Sequence, residues 1–97
     1  MIKSLKICTR DYQVEYKDLS AWGYNYFHKK LIQISKHADK HQKNTILFHE
    51  ALHGICAEYG LSIENEETTV RILENAVVKL FQDNPKFTKE FLAAIEK

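Results

Sequence analysis

The chain predicts an α+β domain in which a short three-stranded sheet is followed by helices. Up to about residue 35 apolar residues recur at every second position, and from about Asn44 onward they recur at helical spacing. Length bounds the rest: 97 residues supply one modest core, so 1–97 is read as a single domain.

Residues 2–8, IKSLKIC, carry Ile2, Leu5, Ile7 and Cys8 among polar neighbours and read as the first strand. In YQVEYK, residues 12–17, Tyr12, Val14 and Tyr16 share one face, which is the period of a half-buried strand. DLSAWGYNYF begins as a loop, with a turn expected at Gly23. KKLIQIS, residues 29–35, gives the third strand through β-branched Ile32 and Ile34. Hairpin-length connections allow the three to form an antiparallel or mixed sheet. KHADKHQKN is read as a polar connector in which His37, Asp39 and His41 are solvated.

From about Asn44, Ile46, Leu47, Phe48, Ala51, Leu52, Ile55, Cys56 and Tyr59 make a helix apolar almost all round, hence buried. Gly60 and Leu61 supply its C-terminal cap. A second helix over residues 65–83 carries Val70, Leu73, Val77, Leu80 and Phe81, and Pro85 ends it. KFTKEFLAAIEK closes the chain as a short helix with Phe87, Phe91, Leu92 and Ile95 on one side.

At 44% hydrophobic and 28% charged, with three glycines and one proline, the composition excludes disorder and low complexity. No apolar run reaches membrane-span length, and the N-terminus lacks the uninterrupted apolar stretch of a secretory signal, so the cytoplasm is expected. Cys8 and Cys56 are then expected as thiols. Residues 1–46 hold nine Lys/Arg against four Asp/Glu; these lysines alternate with apolar residues, as on the wet face of a sheet. Nucleic acid is therefore not the expected partner, and the oligomeric state is left open.

The chemistry is concentrated in ILFHEALHGICAEYG, residues 46–60. His49 and His53 fall about 40° apart on the helix wheel and one turn apart along it, so both imidazoles can hold one zinc ion. Glu50 stands beside that face, where its carboxylate reaches a metal-bound water as general base; this is the content of the HExxH pattern. In an oily helix three polar side chains need partners, and a metal supplies them. A third histidine on the same helix is absent, since Tyr59 stands where it would fall, and Cys56 is read as a buried inert thiol. The third ligand is sought on the next helix, among Glu64, Glu66, Glu67 and Glu74. Wheel arithmetic favours Glu66, in line with Val70, Leu73 and Val77.

TILFHEALHGICAEYGLSIENEETTVRILENAVVKLFQDNP resembles the small phage- and prophage-encoded zinc metallopeptidase-like proteins, minimal gluzincins distantly akin to the ImmA/IrrE and SprT groups. The matching features are His49-Glu50-Ala51-Leu52-His53, Gly60-Leu61, Glu67 three before Val70, and Asp83-Asn84-Pro85, and the similarity covers roughly residues 22–86. It implies a small zincin-like domain with one zinc ion on His49, His53 and Glu67, and Glu50 as the base. Glu66 stays as the alternative third ligand. It also implies a peptide or protein substrate lying along YNYFHKKLIQIS, with Tyr24, Tyr26 and His28 as candidate substrate or oxyanion contacts. The competing reading is a zinc-binding regulatory or interaction module that keeps a peptidase scaffold without turnover.

Overall fold

The computed structural model describes residues 1–96. Ser4–Ile7 (β1) and Arg10–Lys17 (β2) pair antiparallel, with Ile7 opposite Arg10. Only Cys8 and Thr9 link them, and both take positive φ (48° and 68°). That is the backbone a two-residue hairpin turn demands, here adopted by two residues that are not glycine.

The sheet has four strands where three were expected. Gly23–Tyr26 (β3) is a strand, and it pairs antiparallel with Leu31–Ser35 (β4), which lies parallel to β2. The order is β1-β2-β4-β3, so β3 is an edge. Glycine and asparagine are poor strand formers, and an edge strand needs no continuous apolar face, which is why GYNY does not read as a strand. A short helical turn, Phe27–Lys29, joins β3 to β4.

One sheet face makes the core: Ile7, Tyr12, Val14, Ile32 and Ile34 are buried together with Leu47 of the first helix, while Leu5, Tyr16, Ile46 and Ala51 pack around them. The opposite face is polar along β2, with Gln33 Nε2 donating to Glu15 across β4 and β2, and carries Leu31, Tyr24 and Tyr26 toward the β3 edge. Alternation of apolar and polar residues along β2 and β4 thus produces a two-layer domain.

The first helix, Lys40–Glu58 (α1), starts four residues earlier than the apolar pattern. Asp39 is its N-cap: its carboxylate accepts from Gln42 N–H at 2.8 Å, and the Gln42 side chain accepts from Asp39 N–H at 2.9 Å. This reciprocal capping turns the polar connector into a first helical turn. His37 is paired with Asp18 at 2.8 Å, so His37, Asp39 and His41 form no metal cluster among the described residues. At the other end Gly60 has φ +68°, and Leu61 N–H donates to Cys56 C=O at 2.8 Å, a Schellman stop.

α1 is not buried all round. Leu47, Glu50, Gly54 and Cys56 are buried, whereas Ile55 is exposed, because the sheet covers one side and the second helix a neighbouring side. That helix, Glu66–Asp83 (α2), buries Val70 and half-buries Val77 and Phe81, leaving Leu73 and Leu80 exposed. Pro85 begins a third helix, Pro85–Ile95 (α3), where its missing N–H costs nothing. No described helix is long and apolar enough to cross a membrane, and Cys8 and Cys56 are both free.

Candidate metal centre

α1 and α2 cross antiparallel, since His49 meets Glu74 while His53, one turn on, meets Glu66. Between the two contacts, a single carboxylate oxygen of Glu67 lies 2.7 Å from His49 Nε2 and 2.8 Å from His53 Nε2. The imidazole centroids are 5.1 Å apart. Each imidazole also turns Nδ1 to a second carboxylate: His49 to Glu74 at 2.9 Å and His53 to Glu66 at 2.6 Å. Of the sequence candidates, His49, His53 and Glu67 thus converge, with potential ligand atoms within 4.8 Å of one another. Glu66 and Glu74 flank them on the outer nitrogens, and Glu64 takes no part.

The proton count of this cluster is informative. Four imidazole nitrogens face carboxylate oxygens, yet a neutral imidazole carries only one N–H. With Nδ1–H donated outward to Glu66 and Glu74, both Nε2 lone pairs point at one Glu67 oxygen. Lone pair against lone pair requires a positive charge between them, either extra protons or a cation. Two imidazoles and a carboxylate are a donor set that suits zinc, and outward Nδ1–H bonds are the usual way such ligands are oriented. Without a cation, burial acts to lower the His53 pKa, but hydrogen bonds to Glu66 and Glu67 outweigh it and raise it. Partial burial acts to raise Glu67, and the bonds from His53 and His49 outweigh it and hold it low.

Glu50 lies beside this group at 8% exposure, and burial pushes its carboxyl above the usual range against the pull of His49 and His53. Its position is set by β3. Asn25 Nδ2 donates to Glu50 C=O at 2.8 Å, and the Gly23 backbone lies so near that an added Cβ would stand 2.8 Å from Ile46 Cγ2 and 3.3 Å from Glu50 Oε2. Only glycine lets strand and helix approach this closely. Neither contact carries a sequence signal, because β3 itself does not read as a strand.

A cleft runs over the site in two halves that share Ala21, Gly23, Glu50 and Glu67. The larger, about 750 Å³, extends past Tyr24, Asn25 and Phe27 to Cys56 and Leu61. The smaller, about 310 Å³, lies over Trp22, Ile46, His49, Arg71 and Glu74. Tyr24 therefore borders the cleft; Tyr26 packs 5.9 Å from Tyr24 and His28 stacks 4.1 Å from Phe27, and neither lines it. Cys56 is buried, and burial pushes its thiol up. Arg71, whose Nη2 lies 3.7 Å from Glu67 Oε2, carries no sequence signal beyond standing four residues after Glu67. No protein-family profile, curated protein or solved structure matches the chain.

Proposed function

We propose that this protein is a zinc-dependent metallopeptidase of minimal gluzincin type, acting on a peptide or protein segment. His49, His53 and Glu67 hold the ion, Glu66 and Glu74 orient the two imidazoles, and Glu50 is the general base. The observation that carries the reading is the convergence of both Nε2 atoms on one Glu67 oxygen while each Nδ1 is engaged elsewhere. A divalent cation in this donor set supplies Lewis acidity and brings a water's pKa towards neutrality.

The remaining work falls to the chain itself. Glu50 takes a proton from the attacking water and delivers it to the leaving amine, the two proton transfers a carboxylate beside the site can make. β3 offers the unpaired edge of the sheet beside the cleft, where an extended peptide can add as a further strand. Main-chain hydrogen bonds there hold the scissile carbonyl in front of Glu50. Tyr24 is the tyrosine near enough to the larger half of the cleft to contact such a peptide.

Glu50→Gln tests the role of the base. The variant is expected to keep about one zinc per chain and to lower hydrolysis of a peptide library by at least about 100-fold, the scale of general-base catalysis. Undiminished cleavage by Glu50→Gln would remove Glu50 from the mechanism.

A further inference from the structure

The two halves of the cleft differ in charge as well as in size. Among the described residues lining either half, Arg71 is the only lysine or arginine, and it borders the smaller one. Its side chain is 64% exposed, and its guanidinium is only loosely paired, at 3.7 Å from Glu67 Oε2. That separation is too long for a hydrogen bond, so its donors stay open to an incoming anion.

The sheet tells which end of a peptide reaches it. Both halves border Gly23 at the N-terminal end of β3; only the larger continues along the strand past Asn25 to Phe27, and only the smaller reaches Trp22 just before it. Strands add to an edge more often and more favourably antiparallel. A peptide added that way runs from the Phe27 end to the Trp22 end, so its C-terminal residues arrive beside Arg71. The smaller half is short, and Trp22 and Ile46 give it apolar walls for a terminal side chain.

We infer that Arg71 is a specificity-determining residue that binds the free α-carboxylate of the substrate, so that the protein removes a short C-terminal fragment from peptides. This rests on the peptidase reading above. Hydrolysis then breaks the C–N bond over Glu50: the water's hydroxyl goes to the acyl carbon and its proton, carried by Glu50, to the released amine. A planar guanidinium can grip a carboxylate with two parallel hydrogen bonds, which an amide cannot match.

The test is binding, so turnover is not required. Zinc-loaded Glu50→Gln protein, its metal content measured first, is titrated with acetylated tri-alanyl-leucine as the free acid and as the C-terminal amide. The acid is expected to bind about tenfold tighter, the size of one charge-assisted bidentate contact at an exposed site. Adding Arg71→Ala should erase that preference, and Arg71→Lys should keep only part of it. Equal binding of acid and amide, or no binding of either, by protein that carries its zinc overturns this inference and leaves the metal site standing. A preference that survives Arg71→Ala also overturns it, because the ion rather than Arg71 would then be holding the carboxylate. Protein that takes up no zinc fails the peptidase reading itself.

Discussion

Glu66 and Glu67 are neighbours in sequence and about 100° apart on the helix, and that rotation separates two roles. A wheel drawn through Val70, Leu73 and Val77 favours Glu66, because it assumes that the centre of the apolar stripe faces α1. The stripe is not centred: Val70 is buried whereas Leu73 is 46% exposed. Asn65 enters α2 in the left-handed region, at φ 55°, and α2 packs with Glu67 between the two Nε2 atoms and Glu66 on His53 Nδ1. The juxtaposition of His49 and His53 on α1 is legible from spacing alone; which acid meets which nitrogen depends on a crossing angle that no spacing encodes. The two roles predict different costs. Glu74→Gln, which weakens the orientation of His49, should reduce zinc affinity about 10- to 100-fold, and Glu67→Gln should reduce it by clearly more. Competition with a chromophoric chelator measures both, and equal losses would contradict the division of roles.

Among elements, those with a strong internal period were legible and those built on polar contacts were not. β2 and β4 follow their apolar patterns, and α2 takes its expected span although Leu73 and Leu80 of its apolar set stay exposed. β3 was missed because its partner is a single strand and its structural residues are Gly23 and Asn25, whose value lies in contact with α1. The start of α1 was missed because Asp39 and Gln42 cap one another inside a stretch that reads as linker. α3 is the reverse case, a helix plain in sequence that contributes little to the core. Its eleven residues include none that is buried, and Phe87 and Phe91 stack with Phe81 of α2 as its main attachment. A helix of this length is marginal without packing. Its amides are therefore expected to exchange with solvent at least about 100-fold faster than those of α1 around Leu47, by hydrogen exchange followed by NMR. Equal protection would mean that α3 is held by more than these rings.

Taken whole, the molecule is a sheet and a helix clamped at two points along α1. Near the middle, Asn25 ties β3 to Glu50 C=O. At the end of α1, the Glu58 carboxylate accepts from Lys30 Nζ and from Tyr12 O–H, both at 2.5 Å. Its hydrogen bond with Lys30, then that with Tyr12, outweigh burial and hold Glu58 below the usual carboxylate range. A carboxyl depressed by folding contributes stability that is complete above its unfolded pKa, about 4.3, and is lost as pH falls through the folded value. Glu58→Gln should accordingly lose less stability than wild type between pH 6 and pH 3, read from urea midpoints; parallel pH profiles would show that the clamp is not electrostatic. The proposed cation site lies between α1 and α2, at His49, His53 and Glu67. Zinc retained after dialysis is its most direct measure. About one ion per wild-type chain is expected, and close to none for folded His49→Ala or Glu67→Ala. Wild type that retains no more zinc than these two variants would contradict it.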